Sequence, residues 1–571
     1  MSGRTAQLDA VRERLRSVRL RAVPETPAWE REPAPSVARP GVTVALAASE
    51  RLRAGLADQW RTRPIDRHLT TVAGADLFLL ELADRQVPGF GPADDPVLLQ
   101  TVAAARAASV PVVVWITGGR PPSHRVARAA VTALLAQADQ VYAADLVATW
   151  RRFAPEVRPL APAASARRAP ERTERGGVLV VSPGASDESA AGAVSVIVAP
   201  ALRPLADVVE VRTLDPDLPP RGVLPESLAE AARPTSPAEV SDLAGRAGVL
   251  VDAPRRTPGD TWTLLAAAAA GTPVVSVVGL EAPAGVPVVA PGEASALRAE
   301  VVARVHQREL ADREALRQRR AVLAAHTFGH RARTLLGEAE PPKPTVSAIV
   351  PTNRPHELET VLANAGRQSH PTELVLVLHG FEAPSDLVAR AREHGVEHLV
   401  VRTAPRSLTL GACLNLGIEA AAGDLIAKMD DDNHYGVHYL ADLSDALRAQ
   451  GAGIAGKWAH HVWLRSSGAV VLRYPEAENR WVRRIQGGSM LFEGELARSL
   501  RFGDLPRAVD SDVLDRALAD GVPIWSADRF NFVSVRGEDR SAHTWTVEDA
   551  TFLTAAGRLA FYGDPRSHVE V

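Results

Sequence analysis

The sequence predicts an α/β protein of three successive units, each built on a largely parallel sheet. Two observations carry this. Short apolar runs rich in Val, Ile and Leu alternate with longer Ala- and Arg-rich stretches at helical spacing, as in strand–helix–strand units. Polar and proline-rich interruptions at 24–40, 164–177 and 336–346 then divide that alternation into sets. The expected organisation is an N-terminal helix and Pro-rich linker over 1–40, a Rossmann-like lobe over 41–165, a second over 176–338, and a C-terminal unit over 345–571.

Within residues 5–20, charged residues with apolar positions at helical spacing predict a short helix. The first lobe's strands are VTVALAA (42–48), DLFLLEL (76–82), PVVVWIT (111–117) and QVYAA (140–144), with helices near 97–108 and 124–136. The second lobe's are GVLVVS (177–182), VSVIVAP (194–200), VVEVRTL (208–214), AGVLVDA (247–253) and TPVVSVV (272–278), followed by charged helix through 296–337. The stretch LGEAEPPKPTV (336–346) ends that helix with three prolines before a new strand, TVSAIVPT. ELVLVLH (373–379) and DLIAKMD (424–430) continue the third unit.

Composition bounds the function. The chain has 571 residues and a net charge of −3, with 65 Lys+Arg against 68 Asp+Glu, so it lacks the basic excess of a nucleic-acid binder. Almost every cation is arginine, as in proteins of GC-rich bacteria, and lysine occurs only at 343, 428 and 457. A lysine kept against that bias points to a need for a compact charge. The single cysteine, Cys413, reads as a small buried apolar residue and excludes an intrachain disulfide. The N-terminus lacks the apolar core of a signal peptide, and no apolar run reaches the 18 residues of a membrane span. A cytoplasmic protein is expected, with no transmembrane segment and with peripheral membrane contact open.

The chemistry concentrates in the third unit. LIAKMDDDNHYG (425–436) places Asp430, Asp431 and Asp432 directly after a strand. Three adjacent carboxylates repel and call for a positive partner, unless the loop is simply solvated. In open α/β sheets, ligands bind at the carboxyl ends of strands. Hard oxygens there suit Mg²⁺ or Mn²⁺ that shares its coordination with substrate phosphates. The polar exit Pro351-Thr352-Asn353-Arg354 ends the neighbouring strand and is placed to meet a nucleotide. Lys428 stands just before the triplet.

SAIVPTNRP together with LGACLNLGIEAAAGDLIAKMDDD resembles the family 2 glycosyltransferases of GT-A fold (the nucleotide-diphospho-sugar transferase fold). The resemblance extends through GIAGKWAHHVWL (453–464), RRIQGGSMLF (483–492), FGDLPRAVDSDVLDRAL (502–518) and NFVSVRGEDRSAHTW (531–545), about residues 345–548 in all. It implies a metal-dependent, inverting transfer from a nucleotide-diphosphate sugar, with UDP the expected nucleotide. The acceptor would be a hydroxyl on a cell-surface glycan or related glycoconjugate, a peptide or a small molecule. On this reading Asp432 ligates Mn²⁺ or Mg²⁺, with His543 a candidate second ligand, while Asp430 and Asp431 serve ribose and sugar. Gly487 and Gly488 admit a sugar close to the backbone. Lys428, Arg483 or Arg484 adds charge near the diphosphate. Asp510 is the catalytic base and Asp512 the fallback. Val509 departs from the family's pattern, which has Glu there. His460–His461 reads as strand surface, and Trp458, Trp463, Trp481 and Trp545 as core or sugar platforms.

The first two lobes resemble GT-B glycosyltransferases of the CgeB-like type through PVVVWITG (111–118), ADQVYAAD (138–145), TWTLLAAAAAGTPVVS (261–276) and HTFGHRARTLL (326–336). Where such enzymes carry a ribose-binding Glu, this chain has Asp260-Thr261-Trp262-Thr263, which favours a scaffold or acceptor-binding role over a second transferase. The rival readings are a non-catalytic glycan- or nucleotide-binding protein and a sugar nucleotidyltransferase. The latter would carry a Gly-rich loop that PTNRP does not supply.

Overall fold

The computed structural model describes residues 36–168, 175–184, 192–214, 224–505, 508–537, 549–553 and 557–571. The expected helix over 5–20, His543 and Trp545 lie outside these residues. The fold is α/β, with Rossmann-like parallel cores. In the first, strands run in the order 60–64, 39–47, 77–83, 112–118, 140–143, 158–159 with each neighbouring pair parallel, and a short antiparallel hairpin, 86–87 and 91–92, attaches to 77–83. In the second the order is 233–234, 209–213, 176–182, 247–251, 274–275, again all parallel. Leu77–Ala83 and Val112–Gly118 are buried along nearly their whole length, so both faces are covered by helices and the strands read as continuous apolar runs.

One expected strand is a helix. VSVIVAP is wound as Val194–Val198 and continues as Ala199–Leu202. Its buried residues are Val194, Ile197, Val198, Ala201 and Leu202, a helical spacing that outweighs the β-branched composition.

The C-terminal region holds an eight-stranded mixed sheet in the order 398–404, 372–379, 346–352, 425–429, 489–493, 454–456, 524–526, 480–481. The first four strands are parallel, and Ser489–Glu493 runs antiparallel to Leu425–Met429. Helix Leu410–Ala420 packs on the sheet through Leu414, Gly417 and Ile418, and a Cβ on Gly417 would collide with Ile349. A smaller sheet, 434–435, 532–536, 460–464, 469–473, 557–562, closes the region.

The helix Arg308–Ala325 joins the second sheet's region to the third. Arg320 makes two bonds to Asp442 (2.7 and 2.9 Å). Arg529, 5% exposed, binds Glu309 (2.7 Å) and Asp312 (2.8 Å) of that helix and Glu478 (2.9 Å) of its own region. Among the described residues no helix is long and apolar enough to cross a membrane.

Candidate active site

Adjacent parallel strands 346–352 and 425–429 end at the same edge, and the acidic triplet leaves from there. The chain turns sharply, so the three carboxylates diverge. Asp430 faces Gly488, just before the strand Ser489–Glu493, while Asp431 and Asp432 face Arg354 in the loop after Thr352.

Two clusters result. In the first, buried Thr352 donates its hydroxyl to Asp431 (2.6 Å) and accepts the Arg354 backbone N–H (3.0 Å). The Arg354 guanidinium reaches Asp431 through Nε (3.1 Å) and through a terminal nitrogen, and that same nitrogen bonds Asp432 at 2.9 Å. Pro351 is half-buried at the strand end and Asn353 is exposed. Burial pushes the Asp432 carboxyl up to about 6; Arg354 opposes the rise, and Asp430 and Asp431 add to it. One guanidinium is thus shared between two carboxylates.

In the second cluster the Lys428 ammonium, 3% exposed, bonds Asp430 (2.7 Å) and the Gly487 carbonyl (2.9 Å) and faces Asp510 at 3.4 Å. Burial works against its charge, but Asp430 and Asp510 outweigh burial and raise its pKa. Asp510 comes from the first turn of helix Val509–Ala519. Its Oδ1 is the atom that faces the Lys428 ammonium, at a distance too long for a well-aligned hydrogen bond, and the carboxylate as a whole is about a third exposed. A Cβ on Gly487 would strike the Asp510 carboxylate, and one on Gly488 would strike the Asp430 carboxylate and the Asn433 amide. Both glycines therefore admit carboxylates close to the backbone.

Three further residues brace the turn. The Tyr435 hydroxyl accepts the Asp430 N–H (2.7 Å) and donates to the Gly488 carbonyl (2.6 Å). Asn433 bonds Asp430 (3.3 Å) and accepts the Val535 N–H (3.1 Å), and Asn364 bonds the Asn433 carbonyl (2.8 Å). The sequence signal for Asn433 and Tyr435 was only their place in DDDNHY, and Asn364, on helix Leu358–Gly366, gave none.

Other candidates lie elsewhere. Asp512 bonds Arg516 at 3.0 Å and packs beside Gly503. Arg484 pairs with Asp515 (2.6 Å). Val509 is buried in apolar contacts. His460 and His461 are not strand surface: they are 2% and 4% exposed, and burial drives them down to about 4 and about 3. Trp481 is core, and Trp458 stacks on Tyr474 at 4.3 Å and 7°. Cys413 is buried.

Among the described residues no group of three His, Cys, Asp or Glu side chains could cage a metal ion. The hard carboxylate oxygens at Asp432 fit a divalent cation held by one or two carboxylates and completed by substrate phosphates, the usual arrangement for Mg²⁺.

Between the first two sheets, the cleft at the strand ends is bridged by Arg256 to Asp84, Thr257 to Asp145 and Trp262 Nε1 to the Thr117 carbonyl (3.0 Å). Asp260 sits there near Arg51, Arg256 and Arg255, and burial raises its pKa against their opposition.

No protein-family model matches the chain, and no curated protein matches it in sequence. Solved structures similar to part of it include S. aureus TarS 1–349 in complex with UDP-GlcNAc, at 18% identity over 35% of this chain and 62% of that chain, with a TM-score of 0.30. Mannosyltransferase PcManGT from Pyrobaculum calidifontis in complex with GDP-Man and Mn²⁺ matches at 18% identity, 35% and 59% coverage and 0.28. GalNAc-T7 with UDP, GalNAc and Mn²⁺ matches at 13%, 35% and 45%, and 0.28. The chain thus spans about three fifths or less of the length of these structures, and at such scores the likeness carries no argument about activity.

Proposed function

We propose that the C-terminal region, 345–571, is a GT-A-type glycosyltransferase of the family 2 kind that uses a nucleotide-diphosphate sugar. The observation that supports it is the meeting of Asp430–Asp432 with Asp510 at one sheet edge, around buried Lys428. A divalent cation held at Asp432 and by the donor diphosphate, when bound, would offset the charge of the departing nucleotide. The chain's own residues do the rest. Thr352 and Arg354 fix Asp431 beside the position for the nucleotide. Lys428 sets the separation of Asp430 and Asp510 and keeps positive charge between donor and base. Asp510 accepts the proton of the acceptor hydroxyl as that oxygen attacks C1, and a single displacement inverts the anomeric centre. The acceptor belongs to a surface glycan or related glycoconjugate.

The first two sheets form a scaffold or acceptor-binding module, since their cleft is spanned by its own side chains. Val509, an apolar residue beside the base, favours the second reading, a protein that binds donor without turnover. Incubation with a panel of labelled sugar nucleotides and Mn²⁺ tests both. Asp510→Asn is expected to retain donor binding, measured by calorimetry, and to lose transfer by at least about 100-fold. Normal transfer by that variant moves the base elsewhere, with Asp512 next. Binding of a donor with no turnover of any member of the panel favours the second reading.

A further inference from the structure

The acidic triplet already holds a cation of its own. Arg354 touches two of its three carboxylates, and the two contacts differ. Asp431 is 5% exposed and is fixed by the Thr352 hydroxyl as well as by two guanidinium nitrogens. That pairing is built in, because a carboxylate so buried is costly without its partner. Asp432 is more open, with 19% of its side chain exposed, and takes one bond from Arg354 at 2.9 Å. The guanidinium is 24% exposed, so it has solvent-facing room to turn about its Nε bond to Asp431.

We infer that Arg354 is a resident counter-cation at Asp432, and that it makes capture of the divalent ion conditional on the diphosphate. The inference rests on the donor-binding reading given above. A guanidinium and a dication cannot share one carboxylate oxygen face without strong like-charge repulsion. A free metal ion must therefore displace the Asp432 contact and gains only one carboxylate in return. A nucleotide diphosphate changes the balance. Its oxygens complete the coordination of the ion, and they also offer the displaced guanidinium a new partner of matching fork geometry while Nε stays on Asp431. Arg354 thus excludes bare metal from the empty site and turns toward the phosphates as they arrive.

The test uses the full chain and follows Mn²⁺ by the loss of its free electron-paramagnetic-resonance signal, with and without UDP. The wild type is expected to bind Mn²⁺ weakly alone and at least tenfold more tightly with saturating UDP. Arg354→Gln is expected to bind Mn²⁺ alone at least tenfold more tightly than the wild type and to lose most of the UDP dependence. Arg354→Lys, which keeps the charge but cannot bridge two carboxylates, serves if the glutamine variant does not fold; it is expected to shift the same way by a smaller factor. If the wild type takes up Mn²⁺ with UDP and neither variant differs from it without UDP, the role given to Arg354 is overturned and the donor-site reading stands. If no protein takes up Mn²⁺ with or without UDP, both fall.

Discussion

Replacing Lys428 with methionine tests the centre of the site most directly. The ammonium lies 2.7 Å from Asp430 and 3.4 Å from Asp510. At an effective dielectric of about 20, the two contacts are worth about 6 and about 5 kcal/mol of gross attraction. Desolvating the lysine offsets several kcal/mol of that, so the net value is far smaller than the sum. A methionine side chain would match the volume but leave two carboxylates facing each other. Breaking a buried pair costs roughly 3–5 kcal/mol, and because both carboxylates are about a third exposed the lower end applies, about 3 kcal/mol. The chain is large and built of several sheets, so a single unfolding midpoint is the wrong readout. Amide hydrogen exchange over 425–435 reports the local value, and protection there should fall on the order of 100-fold. Asp510→Asn in the same background should recover part of the loss, since it removes one of the opposed charges. A loss below about 0.5 kcal/mol for Lys428→Met, with no coupling to Asp510→Asn, would refute the ion-pair account.

Two other outcomes follow from the geometry. Gly488→Ala should drive Asp430 off Lys428, at an overpacking cost of about 1–3 kcal/mol, and weaken nucleotide binding at least tenfold by calorimetry; unchanged affinity would place the donor elsewhere. Below about pH 6.5 the unfolded chain protonates His460 and His461 while the folded chain, with values of about 4 and about 3, does not, so stability falls as pH drops through that window. The ceilings are ~3 and ~5 kcal/mol, and amide-exchange protection over 460–464 in a His460→Asn/His461→Asn variant should show a flatter decline from about pH 6.5 to 4 than the wild type, each corrected for the intrinsic pH dependence of exchange; parallel declines would locate the acid sensitivity in other groups.

Much of the fold was legible because parallel strands covered on both faces are written as unbroken apolar runs. PVVVWIT and ELVLVLH carry no competing pattern, and their strands lie at Val112–Gly118 and Thr372–His379. The segment VSVIVAP misleads because its composition speaks for a strand while the spacing of its buried residues speaks for a helix. Strands as short as Ile454–Gly456 and Ile524–Ser526 have too few residues for any period to show. Of the candidate site, the triplet was visible because three like charges after an apolar strand need a reason. Lys428 and Arg354 were in view as well, but which of them meets which carboxylate was not. That Arg354 takes Asp431 and Asp432 while Lys428 takes Asp430 depends on a turn whose geometry is set by Tyr435 and Asn433. Sequence order is silent about that turn. His460 and His461 read as outward-facing because the smaller sheet that buries them is assembled from segments far apart in the chain.

Arg529 bears on how the halves of the molecule work together. A guanidinium clasped at once by two carboxylates from the long helix and one from its own side acts as a rivet. It leaves the front sheets little freedom to swing on a loose tether. A substitution that removes this one guanidinium would therefore strand three carboxylates at once, two on the helix and one across the junction, so the cost of losing it falls on both sides of the seam together.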